Sequence, residues 1–443
     1  MNSRRGFRSD RALRGIVLAG SLACKASDSS GDGPWDAQFG LPGMNHEVLA
    51  LNLGLGRLYA GGMFTNAGGV PASAIAVWDG MAWSASGDGL RGGVYAVAAA
   101  SDGVYAGGQF EAGGTVSATN IAVWKGTEWS ALGAGVDRLV LALALADGSL
   151  FAGGQFLSAG GQQANKIARW DGTNWWPLGE GLSMPEGAEF AAVFSLLVRG
   201  NALYVGGRFT SASGVAATNI ARWDGTNWWP VGEGLNAQVH DLAMVGEDLY
   251  ACGQFRRIGS MQVTNIARWD GMNWHSLGAT FYRRFGSVGV TELAVSGSDL
   301  YVGGAFDEVS GVPARSVARW DGQQWWALGS GVIDLSSLAA TGSELYMGGI
   351  WDEAGGKESH NIALWHIPHL LEVRQSGGQV RLSWPATGSN YVVEATASLH
   401  EPVWQRLDQT PVLEGNRLTV SEPLSSAQRF YRLRKPWPPG SGQ

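Results

Sequence analysis

A tryptophan-rich unit repeated seven times, with invariant internal spacing, limits what this chain can fold into. A Gly-Gly-x-Phe string starts at Gly61, Gly107, Gly153, Gly206 and Gly303; at Gly348 it reads Gly-Gly-Ile-Trp, and in the remaining copy Cys252 replaces the first glycine. Seventeen residues after each start stands a tryptophan: Trp78, Trp124, Trp170, Trp223, Trp269, Trp320 and Trp365. The copies recur every 45 to 53 residues and each carries four short β-patterned segments, the signature of a propeller blade. The fold class expected is all-β: a seven-bladed β-propeller of four-stranded blades over residues 35–368.

The copy ending near Trp228 shows how one blade is built. Val193 to Leu196 reads as a first strand, Arg199-Gly200-Asn201 as a turn, and Leu203 to Phe209 as a second strand. A longer loop leads to a third strand, Asn219 to Trp223. Asp224-Gly225-Thr226-Asn227 then turns sharply into a fourth, Trp228 to Val231. The chain has 67 glycines among 443 residues, but they are periodic, which argues for tight turns and not for disorder. Glycine inside a strand marks close backbone approach, which neighbouring blades need near a crowded axis. The repeated tryptophans, including Trp83, Trp129, Trp175, Trp274 and Trp325, are read as filling the space between blades.

The seventh copy has no fourth strand: Trp365 is followed by His366-Ile367-Pro368-His369, with no Asp-Gly turn and no second tryptophan. The missing piece lies at the other end, where Trp35 to Gly40 precedes the first copy without a third strand of its own. The expectation is that this N-terminal strand completes the last blade and removes the exposed edges an open array would leave.

A glycine pair, an aromatic residue and a tryptophan, one set per blade, resemble the kelch repeat. The longer string from Leu203 to Gly232 is also similar to the repeats of fungal cortical cell-polarity marker propellers. The departure is in the short turn, where Trp223 and Trp228 stand closer together than kelch repeats place them. Kelch-type propellers include galactose oxidase, whose copper site needs a cysteine crosslinked to tyrosine plus histidine ligands. Here Cys252 replaces a packing glycine, so that chemistry does not carry over. Sialidases share a propeller and an Asp-x-Gly turn, but Trp-Asp-Gly lacks the intervening residue. Arg169, Arg222, Arg268 and Arg319 recur at one register and read as structural, not as a sialidase triad.

The ends of the chain follow other rules. Arg4, Arg5, Arg8, Arg11 and Arg14 precede a short apolar run from Gly15 to Ala23, as in an export signal over residues 1–23. Ser3 to Phe7 resembles a twin-arginine signal, and Cys24 after Leu22-Ala23 resembles a lipoprotein acylation site. A linker over 24–34 follows. Loss of 1–23 takes the net charge from -7 to -11, which disfavours nucleic acid as a partner. Cys24 and Cys252 are the two cysteines, so there is no disulfide framework. Residues 369–436 alternate as strands at Leu371–Val373, Val380–Trp384, Tyr391–Glu394, Trp404–Leu407, Arg417–Val420 and Arg429–Leu433. They resemble the small fibronectin-like β-sandwich at the C-termini of many exported bacterial proteins, with 437–443 as a disordered tail. Such modules serve as spacers or attachment units; Trp384 and Trp404 are read as core residues ahead of a carbohydrate-binding role.

Candidate site residues follow from topology. The long connections, from second to third strand and from blade to blade, share one face, and loops on a rigid scaffold are where function concentrates. The insertions Ser183 to Phe190 and Ala279 to Val288 fall on that face. On the first strands, the register holding Ala50, Ala96, Ala142, Ser195 and Ser337 becomes Asp241 and Glu292, with His240 beside them. Arg256, Arg257, Tyr282, Arg283 and Arg284 form an arginine-aromatic set in the neighbouring loops, suited to an anionic partner. His240, Asp241 and Glu292 lack a third firm metal ligand, and Asp307-Glu308 and Asp352-Glu353 lack the spacing of a calcium loop, so no metal and no cofactor is assigned. No catalytic constellation stands out. The expected function is an exported, monomeric, non-enzymatic module binding a protein or glycan at the cell surface, with the membrane reached only through a lipid on Cys24. The alternative is a polysaccharide hydrolase or lyase using Asp241 and Glu292 as acid and base.

Overall fold

The computed structural model describes residues 34–36, 39–112, 118–185 and 190–367, and beyond them 371–376, 378–385, 391–397, 403–414, 417–423 and 429–434. The export signal, most of the linker, part of the first insertion and the whole of the tail at 437–443 lie outside the described residues. Among those described, all strands and turns belong to two compact units, one over Asp32–His366 and one holding the chain from Ile367 onward.

Among the described residues of the first unit, six antiparallel four-stranded sheets and a three-stranded one follow in chain order, with small sheets of two-residue strands between them. In the fourth sheet the strands are Ala192–Arg199, Ala202–Arg208, Ile220–Trp223 and Trp228–Pro230, each paired to the next. The Asp-Gly turn sets the last pairing, with Trp223 opposite Trp228. Every first strand carries a one-residue irregularity of bulge type, between Val193 and Ser195 in this sheet. First strands of consecutive sheets lie against one another, and that of the seventh lies against that of the first. This is a β-propeller.

Packing explains the repeat. A Cβ added to Gly61 would come within 2.6 Å of Val94 Cγ1 in the next sheet, and one added to Gly62 would meet the Glu47 carbonyl just before its own first strand. The first glycine therefore lets sheets approach; the second lets the bulge close. Cys252 occupies the first position in the fifth sheet and is fully buried, so the approach to Val290 and Leu293 has to relax there. The second tryptophans are buried, and four of them pin their sheet to the one before: Trp129, Trp175, Trp228 and Trp274 donate their indole N–H to Ser86, Leu132, Leu178 and Val231 carbonyls, while the indole N–H groups of Trp83 and Trp325 are buried without a partner among the described residues. Each of the four, fully desolvated with its polar tip satisfied, contributes on the order of 3 kcal/mol.

The seventh sheet has three strands, Leu335–Ala340, Glu344–Gly349 and Ile362–His366. Trp35 forms an antiparallel bridge with Trp365, its ring 5.2 Å from that indole, and its Nε1 donates to Leu328 O at 3.1 Å. These are the contacts the second tryptophan makes in the second to fifth sheets. Asn361 Nδ2 also donates to Met44 O at 2.8 Å, as Asn219 does to Leu235 O.

The long loops hold small hairpins that the sequence pattern did not predict, such as Ser211–Ala212 with Val215–Ala216. Both insertions add a strand to one of these: Leu182–Ser183 pairs with Ser211–Ala212, and Phe281–Tyr282 with Glu308–Val309. Elsewhere a single bridge, Met44 to Ala67 or Val136 to Ala159, stands in their place. The insertions thus lengthen an existing contact.

In the second unit, Glu372–Ser376, Gln379–Pro385, Arg417–Pro423 and Val412–Glu414 form one antiparallel sheet; Gln405–Arg406, Val392–Thr396 and Phe430–Arg434 form another. Leu382, Trp384, Val393 and Tyr431 share one apolar cluster, and Trp384 is fully buried. Val412–Glu414 is a strand that alternation did not reveal.

Candidate functional site

On each first strand the residue past the bulge stands opposite the first position of the glycine pair: Ala50, Ala96, Ala142, Ser195, Asp241, Glu292 and Ser337. The side chain at this register reaches toward the next sheet. Ser195 Oγ accepts from Leu242 N at 3.2 Å, and Asp241 Oδ2 accepts from Leu293 N at 2.9 Å. Glu292 takes the same register one sheet on, where the Leu338 N–H favours its charged form. Asp241 Oδ1 also accepts from Ser195 Oγ and Leu242 N, both at 2.8 Å. The structure thus joins Asp241 and Glu292 in one chain of contacts across three neighbouring sheets.

Burial is the main force on this pair. It raises the Asp241 carboxyl to about 6, against the three hydrogen bonds that favour the charged form. It pushes Glu292 well above the usual carboxylate range, with the Asp241 charge adding to it. The Cys252 thiol is raised by burial and then by both carboxylates. His240 does not join the carboxylates by a direct contact: it stacks on Phe194 at 5.5 Å and meets Gln238 Nε2 at 3.1 Å, and burial lowers its imidazole. Ser337 Oγ and Thr291 Oγ1 are buried without a hydrogen-bond partner among the described residues. Among the described residues no group of three His, Cys, Asp or Glu side chains is arranged to hold a metal.

The arginine-aromatic set divides. Arg283 Nη2 donates to Asp334 Oδ1 at 3.0 Å, which ties the insertion to the seventh sheet. Arg284 uses its backbone N–H on Asp307 Oδ2 at 2.7 Å, while its guanidinium lies 5.3 Å from the exposed Phe285 ring. Tyr282 is exposed. The backbone N–H groups of Arg256 and Arg257 both donate to Asn236 Oδ1, and their side chains are exposed. Asn45 and Asp137 hold the matching loops of other sheets in the same way, so this backbone geometry belongs to the repeat. No hydrogen bond or ion pair among the described residues links Arg256 and Arg257 to residues 282–284.

The short-turn edge carries a second repeated set. Asp171 and Asp224 each accept two backbone N–H bonds within their turns and an indole N–H at 2.6 Å, from Trp176 and Trp229. The backbone N–H groups of Asn174 and Asn227, then the indoles, hold these carboxyls below their usual range. Across the sheet, Arg268 pairs with Asp248 at 2.8 Å and Arg319 with Asp299 at 3.1 Å. Arg222 takes the same register without such a partner, because Ala202 stands where Asp248 and Asp299 stand. Comparing the repeats column by column reveals this in the sequence; treating all four arginines as equivalent conceals it. Among the grooves of this unit are one of about 940 Å³ between the first and seventh sheets, bordered by Phe39, Trp78, Trp83 and Tyr346, and one of about 430 Å³ between the fourth and fifth.

Known proteins add fold and little else. A family model described as "Domain of unknown function (DUF5122) beta-propeller" matches residues 145–170, which span the second and third strands of the third sheet. No curated protein matches the chain. Among solved structures, the computationally designed Ika8 protein is 15% identical, with 77% of this chain and 94% of that one covered at a TM-score of 0.43. A puromycin-hydrolyzing peptidase of Mycobacterium tuberculosis is 11% identical, with 79% and 59% covered at 0.41. Neither likeness bears on what this chain does.

Proposed function

We propose that this chain is an exported, non-enzymatic β-propeller, kelch-like in its repeat, that binds a protein or glycan at the cell surface. The observation that carries the non-enzymatic part is the engagement of Asp241, the foremost acid-base candidate: both its oxygens already accept bonds from Ser195, Leu242 and Leu293. In this reading the carboxylates link sheets, and binding falls to the loops that vary between repeats. Seven blades closed by Trp35 fit the Trp35–Trp365 bridge, the Leu328 bond and the contact between the first and seventh first strands. The C-terminal unit fits a fibronectin-like sandwich serving as spacer or attachment module.

Export rests on the arginine-rich leader, a lipid anchor on Cys24, and solubility as a monomer on the net charge of -7. Among the described residues no helix is long and apolar enough to cross a membrane. One observation favours the alternative of a polysaccharide hydrolase or lyase: burial lifts Asp241 to about 6, within the range a general acid uses. The mature chain applied to a combined glycan and protein array, with the same glycans assayed for chain cleavage, separates the two. Binding without turnover is the expected result. Turnover that is lost in Asp241→Asn and Glu292→Gln gives the site to the enzyme reading.

A further inference from the structure

In the groove between the fourth and fifth sheets, Arg222 lacks the acidic strand partner that Arg268 and Arg319 have; Arg169 of the third sheet lacks it too, with Ser149 at that position, but is exposed. The groove is lined by Tyr204, Arg222 and Asp224 of one sheet and Trp269 of the next, with Asn201 and Arg199 at one end. Arg199 is already committed, bonded to Gly246 O at 2.6 Å and paired with Glu247. Arg222 is half-buried and has no hydrogen bond or ion pair to a described residue. The nearby carboxylate, Asp224, gives its oxygens to Thr226 N, Asn227 N and Trp229 Nε1. A guanidinium partly withdrawn from water, with its fork of donors unused, gains more from a planar anion than an exposed one does.

Trp229 is the cross-strand neighbour of Arg222 and remains 49% exposed. Trp229 does not line the groove itself; its indole, held by the Asp224 bond at 2.6 Å, flanks it beside Arg222, Asp224 and Pro230, which do, so an apolar surface stands next to the charge at little ordering cost. We propose that this groove binds a carboxylate-bearing sugar unit of a glycan, the carboxylate on Arg222 and the ring stacked on Trp229. A volume of about 430 Å³ falls within the range of small-ligand sites. A dianionic phosphate fits less well, because Asp224 would repel it more strongly than it repels a single carboxylate. The site lies at the short turns, on the opposite edge from the long loops, so it stands apart from the loop-face binding proposed above.

The test uses the full chain in isothermal titration with oligogalacturonate, its neutral methyl ester, sialyllactose and a sulfated galactan oligomer. At least one carboxylated probe should bind saturably, and for oligogalacturonate the methyl ester should bind at least about tenfold more weakly. Arg222→Ala should weaken carboxylate binding about tenfold or more, and Trp229→Ala should weaken it while removing the indole fluorescence change. Ala202→Asp installs the acidic partner that Arg268 and Arg319 possess. It should abolish binding while the thermal midpoint holds or rises. Binding that survives Ala202→Asp, equal binding of acid and ester, a sulfated oligomer as the sole ligand, or no saturable binding by either carboxylated probe each overturns the proposal.

Discussion

The first three sheets and the next four share one backbone and differ at one register. Ala50, Ala96 and Ala142 present a methyl group past the bulge; Ser195, Asp241, Glu292 and Ser337 present a hydroxyl or carboxylate at the same place. On the polar side the amides of Leu242 and Leu293 receive side-chain acceptors, and on the alanine side that register offers none. The scaffold does not require the charges, since five of the seven sheets carry alanine or serine there. Two carboxylates held partly out of water cost stability, so the polar sector is where this propeller departs from pure architecture.

The strongest way to test whether all seven sheets are equal lies at the junction of the two ends. Trp35→Ala should destabilise the chain by about 3–5 kcal/mol, as Trp228→Ala should in the fourth sheet, since both remove a buried indole bonded to a neighbouring sheet. Denaturant unfolding of the two variants side by side measures this. Wild-type stability in Trp35→Ala would leave the seventh sheet three-stranded and the sheets unequal.

A smaller effect sharpens the contrast between sectors. The folded-state value of about 6 for Asp241 lies above its ordinary 3.8, so between these values the folded chain holds the proton more firmly than the unfolded one. The stabilisation is complete below about pH 4 and lost as pH rises through about 6, a fall of roughly 1–3 kcal/mol. Glu292, raised further by burial and by Asp241, extends the fall upward. His240 acts in the opposite sense, because burial lowers its imidazole and its contribution is lost as pH falls below 6.5. The informative quantity is therefore wild type minus Asp241→Asn, which should show a shallower fall across this window in the variant. An unchanged slope would mean that Asp241 is not the titrating group.

The least effect is expected at the loop arginines, where two adjacent residues differ. Arg283→Ala removes the pair with Asp334 and should cost about 0.5–1 kcal/mol, diminishing with salt. Arg284→Ala removes only an exposed stack on Phe285 and should cost under about 0.5 kcal/mol. Thermal melts at low and high salt distinguish them; equal and salt-independent losses would show that the Asp334 pair contributes nothing.

The repeat by itself determined the all-β propeller, the four-strand order within a copy and the placing of Asp241 and Glu292 in one column. Those features depend on local turn chemistry and on a fixed offset between glycine pair and tryptophan, which a linear string preserves. The hairpins inside the long loops escaped it, because strands of two residues such as Val215–Ala216 are too short to show alternation. Only the tertiary structure decided which charges are used. Arg268 and Arg319 are neutralised by Asp248 and Asp299, Arg283 is held by Asp334 across 51 residues, and Arg222 is left in a groove. Pairing and desolvation depend on what lies across a strand or in the next sheet, and a residue's own neighbours in the chain do not specify that.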